Sequence, residues 1–288
     1  MQASEIRIVA VLGAGTMGSG IAHVFARSGF DVILRDVSSE VLDRAHATIS
    51  ANLDREIKKG KVAAGAKPAI LARIHATSDA ARLAEADFAV EAVPERLELK
   101  RAVLAEADRV LRPDVILASN TSSISIATLA AATSRPDRFV GMHFMNPVPV
   151  MELIEVVRAP QTSEATLATT MDLARALGKT PVAVNDAPGF VANRVLMPMI
   201  NEAAFAVMEN VATPEAVDAV MKTGMNHPMG PLELADLIGI DVCVDILDVL
   251  EAGFHDAKYR ACPLLRKMVA EGRLGRKSGR GFYKYGGV

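Results

Sequence analysis

The stretch Ile6-Arg7-Ile8-Val9-Ala10-Val11-Leu12-Gly13-Ala14-Gly15-Thr16-Met17-Gly18 decides the fold. Its first seven residues form an apolar, β-branched run that reads as a buried strand. Gly13, Gly15 and Gly18 follow at G-x-G-x-x-G spacing, with Ala14, Thr16 and Met17 completing the turn. Met17, Ile21, Val24 and Phe25 then recur on one side of a helix. In a strand–turn–helix of this kind the first glycine permits the tight turn and the second lets backbone approach a pyrophosphate. The third packs the helix on the strand. A second strand, Val32 to Leu34, runs into Asp36, 21 residues after Gly15, where a carboxylate accepts hydrogen bonds from a ribose. The turn therefore reads as dinucleotide-binding rather than merely structural. Asp36 repels a 2′-phosphate, which favours NAD over NADP. Arg35 could accommodate that phosphate if rotated inward, but as a strand neighbour of Asp36 it is expected to face the other way.

Working outward, further strands are expected at Phe88 to Val93, Val115 to Ala118, Phe139 to His143, Met151 to Val157 and Pro181 to Val184. Helical patterns lie between some of them. In Glu95 to Leu111, residues Leu97, Leu104, Ala107 and Leu111 recur at helical spacing, and Ser38 to Lys61 opens on serines and ends on lysines that complement the helix dipole. This alternation predicts an α/β fold, a Rossmann-type, doubly wound and mostly parallel sheet. After Asn185-Asp186-Ala187-Pro188-Gly189 the β-branched runs give way to Ala, Met and Leu at helical spacing, as in Leu196, Met199, Ile200, Ala203 and Val207. A boundary there divides the chain into a nucleotide-binding domain, 1–187, and a smaller all-α domain, 188–288. Pro198, inside the helical pattern, is expected to kink that helix.

The chain of 288 residues is long enough for two domains with substantial cores. Its 32 basic and 34 acidic residues leave no basic excess for neutralising nucleic-acid phosphates. Cys243 and Cys262 have no CxxC partner and no histidine-rich neighbourhood, so neither a disulfide framework nor a metal site is expected. No stretch approaches 18 consecutive apolar residues, and Met1 to Arg7 carries Glu5 and lacks an apolar leader. A cytoplasmic protein outside the membrane is expected.

Among six histidines, His143 ends a strand at the carboxyl edge of the sheet, where ligands of open α/β folds bind. His23, His46 and His75 read as surface or satisfied histidines. If the chain reverses about Pro149, Glu155 falls opposite His143, the two lying six residues either side of it. A carboxylate on one ring nitrogen fixes the tautomer and raises basicity at the other, as removal of an alcohol proton requires. On the pattern alone, a structural His–Glu pair fits as well as a catalytic one. Ser119-Asn120-Thr121-Ser122-Ser123 offers hydroxyls at the same sheet edge, or caps the next helix. Asn193, close to the boundary glycine, either reaches a cleft or is an exposed helix residue.

Taken together, GAGTMG, the SNTSS segment, HFMNPVPVMELIEVV, DAPGFVANR, HPMGPLELADLIGID and the terminal GRKSGRGFYKY resemble the short-length 3-hydroxyacyl-CoA dehydrogenase family, including bacterial 3-hydroxybutyryl-CoA dehydrogenases. The resemblance covers nearly the whole chain in the right order. It implies NAD-dependent interconversion of an L-3-hydroxyacyl-CoA and a 3-ketoacyl-CoA, with His143 as general base and Glu155 as its orienting partner. Ser122 and Asn193 would hydrogen-bond substrate oxygens, and Asn146 would lie near the nicotinamide. Glu95, Lys100 and Lys277 would contact the cofactor, while Lys59 would meet the CoA moiety with Asn52 on the same helix. Lys58 and Lys61 could serve as well as Lys59, and a solvated helix end is the alternative reading of that cluster. The resemblance also implies closure of the helical domain over the nucleotide domain and a homodimer formed through the helical domain.

Three rivals stay open at this point. A dehydrogenase of a non-thioester substrate, of gulonate or carnitine type, shares parts of the pattern. A 6-phosphogluconate-like enzyme is disfavoured, because no lysine follows Asn193 before Lys222. A non-catalytic NAD-binding protein would need the glycines but not the His–Glu pair.

Overall fold

A computed structural model describes residues 2–286. Met1, Gly287 and Val288 lie outside the described residues, and with them the first residue of the stretch Met1 to Arg7 read above. Contacts divide the chain into two compact units at Ala187/Pro188.

Unit 1 begins β1 (Ile8–Leu12), α1 (Thr16–Arg27), β2 (Asp31–Arg35), α2 (Ser39–Lys58), α3 (Lys67–Ala72) and β3 (Ile74–Thr77). It continues with β4 (Phe88–Glu91), α4 (Leu97–Val110), β5 (Ile116–Ser119), α5 (Ile126–Ala130) and β6 (Phe139–Phe144). It closes with β7 (Leu153–Arg158), α6 (Glu164–Ala176) and β8 (Thr180–Asn185). One eight-stranded sheet takes the order β3-β2-β1-β4-β5-β6-β7-β8. Every neighbouring pair is parallel except β6 and β7. The chain reverses once, in the connection 145–152.

The strand interiors are apolar on both faces because helices cover both sides of the sheet. Val9, Ala10, Val11, Phe88, Ala89, Val90, Leu117 and Val140 are fully buried, and Phe25 and Phe139 are buried with them. Each such aromatic or large aliphatic side chain contributes about 1.5–3 kcal/mol relative to exposure. Helix starts follow local chemistry: the Ser38 hydroxyl accepts from Val41 N–H to open α2, and Ser163 accepts from Thr166 N–H to open α6. β3 was not expected from the sequence. Only Ile74 of its four residues is buried, so what makes it a strand is its parallel pairing with β2.

Unit 2 is helical: α7 (Ala192–Met208), α8 (Pro214–Gly224), α9 (Pro231–Ile238), α10 (Ile240–Phe254) and α11 (Pro263–Ala270). Its core gathers Met197, Ile200, Leu247, Leu250, Leu265 and Met268. Pro198 does not end α7, which runs through it. The missing N–H costs one backbone hydrogen bond, and burial of Met197, Ile200, Ala203 and Ala204 offsets it. Two buried carboxylates organise the end of the chain. Asp218 accepts from Leu232 and Glu233 N–H at the start of α9 and from the Tyr283 hydroxyl. Asp236 accepts from Phe282 and Tyr283 N–H and from the Tyr285 hydroxyl. Much of the terminal motif thus serves packing of its own unit.

Candidate active site

The glycine turn joins β1 to α1, and each glycine meets a different constraint. Gly13 has φ +99°, a left-handed conformation that side chains disfavour, and a Cβ there would press on the backbone of Ala92. A Cβ on Gly18 would lie 1.8 Å from the Gly13 carbonyl oxygen, so the first turn of the helix could not seat. Gly15 meets nothing within 4 Å and lines a cavity of about 350 Å³, the open approach a pyrophosphate requires. The residues present therefore fit a dinucleotide. Asp36 stands where the sequence places it, one carboxylate oxygen accepting from Ala14 N–H (2.8 Å) and the other from Ser38 N–H (3.2 Å). Arg35 is engaged in an ion pair with Glu106 on α4 (2.9 Å).

The cavity joins Ala14, Gly15 and Thr16 to Val41, Arg44, Thr48 and Asn52 of α2, and to Asn146, Pro147, Val148 and Pro149 from the connection after β6. Asn52 and Asn146 are thus brought to the glycine turn, 38 and 132 residues away from Ala14 in sequence. Val41, Arg44, Thr48 and Asn52 share one helix face by their spacing of three and four. Arg44 is the one cationic side chain lining the cavity, and sequence reading passed it over because a lone arginine in an amphipathic helix carries no signal. Lys59 caps the C-terminus of α2, exposed and outside the cavity lining.

At the same sheet edge, His143 and Glu155 are register partners across the antiparallel β6–β7 pair. His143 Nδ1 lies 2.9 Å from Glu155 Oε2, and both residues are buried, 7% and 2% exposed. A carboxylate only accepts, so the shared proton sits on Nδ1 and the imidazole basicity is directed to Nε2. Asn120, at the end of β5, accepts from Phe144 N–H and ties the serine-rich turn to the strand of His143.

Glu95 organises that turn. One of its carboxylate oxygens accepts from the Thr121 hydroxyl and from the backbone N–H groups of Ser122 (2.9 Å) and Ser123 (3.1 Å). Burial raises its pKa, but the Lys100 ammonium and these hydrogen bonds outweigh it and hold the carboxyl below the ordinary range. Lys100 sits deeper than a direct contact would suggest. The resemblance implied cofactor contact, yet it is 1% exposed and its ammonium is shared among Glu91 (2.7 Å), the Val93 carbonyl (3.1 Å) and Glu95 (3.1 Å). Its three donors are taken by these groups. Glu91 is fully buried and also accepts from the Ser119 hydroxyl (2.6 Å). Removing either partner of such a pair leaves a buried charge uncompensated, at a cost of about 3–5 kcal/mol.

Asn193 and Lys277 belong to unit 2. Asn193 is 9% exposed in the first turn of α7, which makes it a buried residue there and not an exposed one. Lys277 pairs with Asp241 (2.6 Å).

Comparison with known proteins adds to this geometry. Residues 8–187 match the family described as 3-hydroxyacyl-CoA dehydrogenase, NAD binding domain, and residues 189–285 match its C-terminal domain. A probable 3-hydroxybutyryl-CoA dehydrogenase of Deinococcus radiodurans is 54% identical over 275 residues, 96% of this chain and 99% of that protein. A 3-hydroxybutyryl-CoA dehydrogenase of Bradyrhizobium diazoefficiens is 52% identical over 286 residues, 99% of this chain and 98% of that one. Among solved structures, (S)-3-hydroxybutyryl-CoA dehydrogenase from Ralstonia eutropha superposes with a TM-score of 0.95 at 49% identity, covering 98% of this chain and all of that one.

Proposed function

This chain belongs to the 3-hydroxyacyl-CoA dehydrogenase family, an NAD-dependent oxidoreductase acting on the 3-hydroxyl of an acyl-CoA, and we propose that His143, steered by Glu155, is its general acid and base. The observation that carries this reading is the buried 2.9 Å contact between His143 Nδ1 and Glu155 Oε2 at the carboxyl edge of the sheet. With Nδ1 holding the proton, Nε2 takes the 3-hydroxyl proton of the hydroxyacyl thioester, and Glu155 stabilises the imidazolium that results. Bound NAD supplies the acceptor for the hydride that leaves C3. In the reverse direction the imidazolium polarises the 3-keto oxygen and returns the proton to it. Ser122, held by Glu95, contributes its hydroxyl to orient the substrate oxygen. Asp36 holds the adenosine ribose, the Gly13–Gly18 turn admits the pyrophosphate, and Asn146 contributes the wall beside the nicotinamide. Asn52 on α2 and Lys59, the residue that caps its C-terminus, are assigned to the CoA moiety, where several phosphate charges call for cations.

Short acyl chains are the proposed substrates, since relatives named for 3-hydroxybutyryl-CoA match nearly end to end. The test follows NADH and NADPH oxidation with acetoacetyl-CoA, beside the same assay on free acetoacetate. Turnover is expected with NADH and the thioester. Equal turnover without the thioester would favour the non-thioester rival, and none at all would favour a nucleotide-holding protein. In the same assay Asp36→Ser is expected to weaken NADH binding roughly 10- to 100-fold, the worth of one or two charge-assisted hydrogen bonds, and NADPH binding less. An unchanged preference would remove Asp36 from the ribose.

We place the enzyme in a reducing cytoplasm, because Cys243 and Cys262 are both buried free thiols. Among the described residues no helix is long and apolar enough to cross a membrane. A homodimer through unit 2 is supported by the exposure of Val195, Val211, Val220, Met225 and Leu237 there. Analytical ultracentrifugation is expected to return the mass of two chains, and a monomer at micromolar concentration would remove this proposal.

A further inference from the structure

Lys179 precedes β8 and is not part of the chemistry described above, yet it is 8% exposed. A buried ammonium is costly unless its donors are satisfied, and here they serve one segment. Nζ donates to the carbonyls of Val148 and Met151, both at 2.6 Å. Those carbonyls belong to the connection 145–152, which links the strand of His143 to the strand of Glu155. The same connection supplies Asn146, Pro147, Val148 and Pro149 to the lining of the nucleotide cavity. On its other side, Val148 packs on Gly20 of α1, the helix that begins at the glycine turn. A Cβ on Gly20 would lie 2.9 Å from Val148 Cβ.

We propose that Lys179 is a positioning residue for the dehydrogenase reaction, its ammonium pinning the 145–152 connection against α1 and so setting the cavity wall that carries Asn146. The proposal rests on the reading of that cavity as the nucleotide site. Two carbonyls held at 2.6 Å by one cation restrain the segment at two points three residues apart, which backbone pairing of β6 and β7 does not reach. Burial, together with the nearby Arg27, lowers the Lys179 pKa to about 8, with Glu152 and Glu56 opposing that shift. A neutral amine keeps two N–H donors, enough for both carbonyls, so the clamp persists through this titration.

The experiment compares wild type, Lys179→Met and Gly20→Ala by fluorescence titration with NADH, with the pH profile of kcat as second readout. Methionine keeps the length and burial of the side chain without its donors, while alanine at 20 displaces Val148 from the opposite side. Both variants are expected to bind NADH roughly 10- to 100-fold more weakly, the scale of an ångström-sized misplacement. The inflection of the pH profile is expected to stay in place, because the His143–Glu155 register is set by the strands. In a third variant, Lys179→Ala, soluble ethylamine is expected to restore part of the NADH affinity, and in Gly20→Ala none. NADH affinity within about threefold of wild type in Lys179→Met, whatever its melting temperature, would overturn the clamp. If that variant fails to fold, the same affinity in Gly20→Ala overturns it. A wild-type protein that does not bind NADH would instead overturn the nucleotide reading of the cavity, and the clamp with it.

Discussion

His143→Ala is expected to lower kcat by about a hundred- to ten-thousandfold, the range over which a positioned general acid–base acts. The residue is 7% exposed, and Nδ1 is held by Glu155 rather than by solvent. Without the imidazole, a proton leaving the 3-hydroxyl would have to pass to water instead. The loss is expected in kcat more than in NADH affinity, because the dinucleotide is proposed to be held by the Gly13–Gly18 turn and Asp36. His143→Gln, which retains buried polar volume, serves as the folding control, and NADH titration with circular dichroism reports whether either variant keeps its structure. Wild-type kcat in a folded His143→Ala enzyme would show that the base lies elsewhere.

Glu155→Gln tests the orienting half of the pair and is expected to cost roughly a hundred- to ten-thousandfold in kcat. Either orientation of the new amide costs activity. If the new amide oxygen accepts from Nδ1–H, the tautomer survives but the negative charge that stabilises the imidazolium is lost. If the amide NH₂ instead donates to Nδ1, the ring proton moves to Nε2, and the atom that must accept the substrate proton already carries one. NADH titration should remain near wild type, while kcat and its pH dependence change together. A glutamine enzyme of near wild-type kcat would reduce the pair to a packing contact between β6 and β7, one of the two readings that the sequence pattern leaves open.

The resemblance was legible because the motifs that carry it are long and in order, but the residues differ in how far local pattern could place them. The glycine turn and Asp36 could be read without any relative, since strand, turn, helix and second strand lie within 29 residues of one another. The pairing of His143 with Glu155 followed from a reversal about Pro149, because antiparallel neighbours are set by counting from the turn. β3 was invisible for the opposite reason: with Ile74 alone buried, its extended conformation is imposed by the exposed edge of β2. Lys100 reads on paper as one more charge in a helix rich in charges. Its burial beside Glu91 and Glu95 comes from α4 packing over the sheet, as does the Arg35–Glu106 pair.

The amino-acid order by itself determined the doubly wound class and the nucleotide turn, and it offered Asp36 as the candidate ribose carboxylate and His143 with Glu155 as the candidate proton-transfer pair. Each depends on periodicity or on steric demands acting over a few residues. Only the tertiary structure decided that Asn52, Arg44 and Asn146 share a cavity with Gly15, that Lys100 is buried between Glu91 and Glu95, and that Lys179 donates to two carbonyls of the segment after β6. Those relations join residues from separate elements, and which side chains meet is set by how helices and strands pack, a free-energy balance that no local pattern encodes.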